Sequence, residues 1–179
     1  MALLFFAAVT HGWNMFQFPY FENDEATYFS QAFSFYQDGR LAPYTYWYDH
    51  APVGWILTAG WLWVTGGPFT FGFSLYSARI WMWLIHILAA GLLYVLARRV
   101  TKSRLAAATA VLLFSISPLA VYFQRRMLLD NLMVFWMLLT LNLVVYARQR
   151  LWWQLASAVS FGLAVLTKEN AIFFLPVLV

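Results

Sequence analysis

"IWMWLIHILAAGLLYVLARRVTKSRLAAATAVLLFSISPLAVY", residues 80–122, consists of two apolar blocks with a short basic stretch between them. Each block, 80–97 and 105–122, is close to the roughly 20 residues that an α-helix needs to cross a hydrocarbon core. The "RRVTKSR" between them holds Arg98, Arg99, Lys102 and Arg104. Lys and Arg collect in the cytoplasmic loops of membrane proteins, so the stretch reads as two spans joined on the cytoplasmic side.

The rest of the chain extends the pattern. Apolar blocks at 132–147 and 151–167 flank "RQR", with Arg148 and Arg150 as a second cytoplasmic signal. The opening "MALLFFAAVTHGW" has no basic n-region and no small-residue cleavage site, and reads as a retained helix rather than a signal peptide. Spans are therefore expected at about 1–19, 77–97, 105–122, 132–147 and 151–167, with another starting at 171. "AIFFLPVLV" is too short to span, so the sequence is expected to be the front part of a longer protein. "VGWILTAGWLWVT", residues 53–65, is short and rich in tryptophan, as in a helix lying in the membrane interface. It falls within an outer loop, 20–76. Were it a full span, residues 1–50 would move to the cytoplasmic side.

Composition agrees with lipid as the solvent. Hydrophobic residues make up 63% and charged residues 10%, against about 25% charged in a soluble domain. The basic residues are interrupted by long apolar runs, which excludes a nucleic-acid-binding stripe. There is no cysteine, so disulfides and thiolate chemistry are excluded. No repeat or linker is visible, and the expected fold is a single all-α, polytopic membrane helical bundle whose first extracytoplasmic loop carries juxtamembrane helices.

The charges divide unevenly. All seven acids, Glu22, Asp24, Glu25, Asp38, Asp49, Asp130 and Glu169, fall in the segments 19–79, 123–131 and 168–170, opposite the basic loops. Arg40, His50, Arg125, Arg126 and Lys168 lie there too. Within the first segment, "NDEATYFSQAFSFYQDG" predicts a helix capped by Asn23 or Asp24 and stopped at Gly39. Its apolar face is expected to be Ala26, Phe29, Phe33 and Tyr36.

Each polar group has a plain reading and a chemical one. Asp24 and Glu25 suit helix capping, which contributes about 0.3–1 kcal/mol, but a carboxylate held at the lipid boundary also suits a general base. Asp49 and His50, ahead of Pro52 and Gly54, could form a hydrogen-bonded turn, a metal-ligand pair or a phosphate contact. Arg125 and Arg126 oppose the positive-inside rule. Lipid headgroups, Asp130 or a bound phosphate could each account for them, since the planar guanidinium fits phosphate with two hydrogen bonds. Lys168 and Glu169 carry the same ambiguity. His11, Asn14, Gln17 and His86 mark faces turned toward neighbouring helices.

Taken in order, the Asp-Glu pair, the "DHAP" turn, "RRVTKSR", "RRMLLDN" and "LTKEN" resemble the N-terminal part of GT-C-fold, polyprenyl-phosphate-sugar-dependent glycosyltransferases. Within that fold the chain is most similar to the protein O-mannosyltransferase and lipid A aminoarabinose transferase family. The resemblance implies a multi-pass enzyme of the plasma membrane with its active site on the extracytoplasmic face. It implies transfer of a sugar from a polyprenyl-phosphate donor to a protein or lipid hydroxyl. Carried over by motif, Asp24 is the catalytic acidic residue of the first outer loop, with Glu25 beside it, and Asp130 matches the second acidic position. Asp49 and His50 fall where relatives contact the donor phosphate or a metal, although "HAP" departs from the more frequent "HPP".

Such chemistry needs a base for the acceptor hydroxyl and cations for the departing phosphate. Asp24 is the expected base, and Arg125, Arg126, Lys168 and His50 the expected phosphate partners. Direct displacement would invert the anomeric carbon. No cofactor is called for outright; a divalent metal stays open, since Asp49, His50 and Glu22 could supply ligands but no three are convincingly spaced. The competing classes are a membrane transporter and a non-catalytic membrane subunit. A transporter favours charges buried mid-span and two matching halves, neither of which the sequence displays.

Overall fold

The computed structural model describes residues 1–43, 50–147 and 150–178, and these form a helical bundle. Its α-helices are α1 (Ala2–Gly12), α2 (Asn23–Asp38), α3 (Val53–Thr65), α4 (Ser74–Thr101), α5 (Arg104–Ile116), α6 (Pro118–Phe123), α7 (Leu129–Ala147), α8 (Leu151–Thr167) and α9 (Leu175–Leu178). A 3₁₀ segment, Glu169–Phe174, links α8 to α9. The 28-residue α4 is the spine: α1, α5 and α7 pack along it, α8 pairs with α7, and α2 lies on α3.

Two helices, Ser74–Thr101 and Leu129–Tyr146, are long and apolar enough to cross a membrane. The flanks of the bundle carry exposed Leu88, Leu105, Leu113, Val159 and Leu166. In water such a surface would be an aggregation liability; in lipid it is the ordinary outer face of a bundle. Inside, small residues bring α8 close to α7: Ser157, Ser160 and Ala164 are buried, and Ser160 Oγ donates to the Trp136 carbonyl at 3.0 Å. Close approach through small side chains is how helices associate where lipid removes the hydrophobic drive.

Two helices stop sooner than the sequence suggests. α1 ends at Gly12 instead of running on to residue 19; its 11 residues reach about 16 Å, well short of the bilayer core. Asn14 then takes a left-handed φ of 57°, and the chain proceeds without helix to Glu22. The apolar block 105–122 is likewise broken, because Pro118 cannot donate to the helix behind it; α5 ends at Ile116 and α6 restarts with Pro118 in its first turn.

Beneath the start of α2 lies a core of Tyr28, Phe29 and Ala32 from α2, Trp55 and Leu62 from α3, Ala78 and Met82 from α4, and Met127, Leu129 and Leu132. Gly54 lets α3 approach closely here. A Cβ on it would meet Leu129 Cδ2 at 2.5 Å and Thr167 Cγ2 at 3.2 Å. α3 is thereby wedged against the start of α7 and the end of α8, where the charged residues gather.

Candidate active site

The site is built around the start of α2. Glu22 is the N-cap, ahead of the expected Asn23 or Asp24, and its backbone N–H donates to Glu25 Oε1 at 3.4 Å. Gly39 ends the helix with φ 67°, as its position requires. The buried stripe is Glu25, Tyr28, Phe29 and Ala32. It is rotated from the expected face: Ala26 is exposed, while Phe33 and Tyr36 pack only at the edge of the core. Adjacent residues on a helix differ by about 100°. That rotation carries Glu25 fully inside and leaves Asp24 exposed.

Glu25 meets Arg79, the last polar residue before the apolar run of α4. The Arg79 Nη2 donates to Glu25 Oε1 at 2.7 Å and Nε to Oε2 at 3.1 Å, both side chains being 0% exposed. This is the bidentate geometry that makes arginine–carboxylate pairs strong. Glu25 Oε2 also accepts the Met127 backbone N–H at 3.1 Å, tying α2 to the loop before α7.

Arginines then hold the non-helical chain between α1 and α2. Arg79 Nη1 donates to the carbonyls of Met15 and Pro19 at 2.7 and 2.8 Å. Arg125 donates to those of Thr10 and Phe18 at 2.6 and 3.2 Å, and Arg126 to Tyr20 at 3.2 Å. Backbone carbonyls shielded from water must find donors, and these guanidiniums supply them. They are the physical reason why α1 can end at Gly12.

Arg126, 1% exposed, also pairs with Glu22, stacks over the Tyr122 ring at 3.9 Å, and shares Glu22 with the Tyr122 hydroxyl, which donates at 3.2 Å. Lys168 Nζ donates to both oxygens of Asp130, at 2.8 and 2.7 Å, joining the end of α8 to the start of α7. His50, just before α3, contacts Glu169 Oε2 through Nδ1 at 3.0 Å and the Tyr28 hydroxyl through Nε2 at 3.2 Å. The Ala51 backbone N–H donates to the other Glu169 oxygen.

The structure thus brings Glu22, Asp24, Glu25, His50, Arg125, Arg126, Asp130 and Lys168 to one end of the bundle; Asp49 lies outside the described residues. Arg98, Arg99, Lys102, Arg104 and Arg150 lie at the other end. Three of the site's cations and His50 each hold an acid: Arg79 holds Glu25, Arg126 holds Glu22, Lys168 holds Asp130 and His50 holds Glu169. Among the described residues Asp24 forms no ion pair, and Arg125 meets carbonyls rather than a carboxylate. Burial, followed by the nearby Arg79 charge, holds the Arg125 guanidinium below its ordinary pKa. For Glu169, burial pushes the carboxyl up, but hydrogen bonds from His50 and from the Glu169 and Ala51 backbone outweigh it and leave the pKa low.

No group of three or more His, Asp or Glu among the described residues could hold a metal. His11 and His86 stack at 3.5 Å between helices, each ring tied through one nitrogen to an oxygen, Ser115 O and Gln124 Oε1. An apolar groove of about 550 Å³, lined among others by Leu4, Leu88, Gly91 and Phe135, includes none of the charged side chains.

Arg79, Tyr28 and Glu169 hold the site together, yet sequence reasoning gave Arg79 and Tyr28 no part. For Arg79 a signal existed: a lone arginine at the acidic end of an apolar block, against the positive-inside pattern.

The family model described as dolichyl-phosphate-mannose-protein mannosyltransferase matches residues 49–179, well over half of the chain. No curated protein and no solved structure matches the chain. The matched stretch includes His50, Arg125, Arg126, Asp130 and Lys168, and begins after Asp24 and Glu25. With a membrane-type helical bundle and an acid–base cluster at one end of it, the chain belongs to the dolichyl-phosphate-mannose-protein mannosyltransferase family of membrane glycosyltransferases.

Proposed function

We propose that the protein moves a sugar from a polyprenyl-phosphate carrier to a hydroxyl of a protein or lipid acceptor, on the extracytoplasmic face, with inversion. Asp24 takes the acceptor's O–H proton. The acceptor oxygen bonds to the anomeric carbon as that carbon's bond to the phosphate oxygen breaks, and the electron pair leaves with the phosphate. Removal of the proton by a positioned carboxylate is worth about 10²–10⁴-fold.

The observation that carries this reading is the pairing pattern. Glu22, Glu25, Asp130 and Glu169 each hold a cationic or titratable partner, whereas Asp24 is exposed at the same end of the bundle and forms no ion pair among the described residues. An unneutralised carboxylate there is available to accept a proton. Arg125 is the complementary case, a guanidinium that pairs with no carboxylate among the described residues. It supports the idea of a phosphate nearby, since a phosphate would supply the missing counter-charge. Lys168, with a third N–H beyond those on Asp130, and Arg126 would assist. The placement of Arg98, Arg99, Lys102, Arg104 and Arg150 at the opposite end supports a cytoplasmic position for that end. The partners are then the lipid-linked donor, a protein or lipid acceptor and the surrounding membrane lipids, with no nucleic acid.

The test is native mass spectrometry of the protein purified gently with its own lipids, alongside Asp24→Asn. A co-purifying polyprenyl phosphate, or its sugar adduct enriched in the variant, is the expected result. Ordinary phospholipids alone in both samples would overturn the reading.

A further inference from the structure

The apolar groove lies against the second half of α4, where Leu88, Gly91, Leu92 and Val95 line it at helical spacing. Phe135 and Leu139 of α7 form the facing wall. The seam between α4 and α7 continues past the groove in register. Arg99 lies two turns beyond Leu92 on α4, and Tyr146 two turns beyond Leu139 on α7. There the two helices meet: the Arg99 guanidinium lies over the Tyr146 ring at 3.6 Å, and its Nη1 donates to the Asn142 carbonyl at 3.4 Å. A guanidinium carries five N–H donors, so Arg99 keeps donors to spare at the end of an apolar channel. Residues 88 to 99 of α4 cover about 16 Å, the depth of one leaflet of a hydrocarbon core about 30 Å thick. The ring of Tyr146 pairs with that of Trp153 at 5.3 Å, and both are exposed, as aromatic residues are at headgroup level. Arg98, Lys102 and Arg104 flank Arg99 in the chain, while every ion pair among the described residues lies at the opposite end. This end thus carries positive charge that no described carboxylate cancels.

We propose that this seam binds one anionic glycerophospholipid of the cytoplasmic leaflet, with its phosphate on Arg99 and an acyl chain laid between α4 and α7 into the groove. The site is separate from the acidic end, and takes from the reading given above only the orientation that names the leaflet. Charge complementarity selects the headgroup, because basic clusters beside a membrane helix collect anionic lipids. Depth and apolarity select the tail. The groove volume falls within the range of about 300–1,000 Å³ typical of ligand sites, and the channel from Arg99 to Leu88 has the length of one leaflet. A polyprenyl-phosphate carrier held by its phosphate at the acidic end would present its charge to the other leaflet. Leu4 of α1 also lines the groove, so the bound lipid joins α1, α4 and α7 and stabilises the folded bundle by mass action.

The experiment titrates phosphatidylglycerol, phosphatidylethanolamine and a polyprenyl monophosphate, in separate arms, onto the delipidated full-length protein and counts bound lipid by native mass spectrometry. The proteins are the wild type, Arg99→Gln, Arg99→Lys and Gly91→Leu. The wild type is expected to retain phosphatidylglycerol in preference to phosphatidylethanolamine. Arg99→Gln should weaken phosphatidylglycerol about fivefold, the worth of one basic side chain at an anionic headgroup, and Arg99→Lys should keep most of the affinity. A Cβ at Gly91 meets nothing closer than Leu4 Cδ2 at 3.8 Å. Gly91→Leu should therefore fold, fill the groove and weaken both phospholipids. Equal retention of the two phospholipids by the wild type would overturn the inference, as would phosphatidylglycerol affinity unchanged in Arg99→Gln or in Gly91→Leu. A loss in Arg99→Gln that Arg99→Lys fails to rescue would reduce Arg99 to a packing contact and overturn its part as headgroup partner. Displacement of bound phosphatidylglycerol by the polyprenyl phosphate would assign the groove to the carrier and overturn it too. Absence of polyprenyl phosphate binding, beside phosphatidylglycerol binding that depends on Arg99 and Gly91, would count against the donor reading alone and support this inference.

Discussion

Glu25 and Arg79, 54 positions apart in the chain, form a two-point ion pair from which water is wholly excluded. The pair joins α2 to α4, and through the Met15, Pro19 and Met127 backbones it also holds the two irregular segments beside them. Removing one member of such a pair leaves a buried charge without compensation and costs about 3–5 kcal/mol. Glu25→Gln is therefore expected to lower the thermal midpoint sharply in detergent. Arg79→Met should do at least as much, because it also strips the donors from two carbonyls. A midpoint unchanged in Glu25→Gln would mean that the pair contributes little.

Asp24, one position earlier, should behave in the opposite way. It is exposed and has no ion-pair partner among the described residues, so Asp24→Asn should leave the thermal midpoint close to wild type. Turnover should fall by about 10²–10⁴-fold. Measuring both quantities on the same preparation separates a catalytic loss from a folding loss. Full activity in Asp24→Asn would remove this residue from the mechanism.

Asp130 and Lys168 test a different point. Asp130 was expected to act as a second catalytic acid, yet both of its oxygens are taken by Lys168. If its part is to hold that ammonium, Asp130→Asn and Lys168→Met should lower turnover by similar factors, and the double variant should lose no more than either alone. Independent, additive losses would return Asp130 to a direct catalytic role.

How much of this could be read in advance follows from the range of the interactions. The gathering of acids at one end was legible, since Lys and Arg placement in "RRVTKSR" and "RQR" is a local signal that orients every helix at once. Gly39 as the stop of α2 was legible for the same local reason. The partner of each charge was not. Glu25 and Asp24 look alike in sequence, and only the packing of α2 decides which one turns inward. The end of α1 at Gly12 was hidden because the donors that permit it, Arg79, Arg125 and Arg126, arrive from distant segments. Pro118 could have announced the break in 105–122, but the apolar run around it masked the signal.

Gly54 gives a test of the packing beneath the site. A methyl group there would press on buried Leu129 and on Thr167, at the junction that carries Asp130 and Lys168. Gly54→Ala is expected to cost about 1–3 kcal/mol, as overpacking of a filled core does, and to lower turnover by shifting the start of α7 against the end of α8. A Gly54→Ala protein with wild-type thermal midpoint and activity would show that the wedge of α3 has slack.

Acid should loosen the same end of the molecule. The Glu169 carboxyl titrates below its ordinary range because the hydrogen bonds from His50 and from the backbone outweigh the upward push of burial. A carboxylate whose pKa is depressed on folding adds stability that is fully present above its unfolded value, about 4.3, and is lost as pH falls through the folded one. The thermal midpoint of wild type should therefore exceed that of Glu169→Gln at neutral pH, and the gap should close as the solution is brought below pH 4. Glu169 is half exposed, so the gap is expected to be modest and to shrink with added salt. A gap that widened on acidification would mean that the protonated carboxyl is the form the fold prefers, and that His50 and Ala51 do not hold the ionised one.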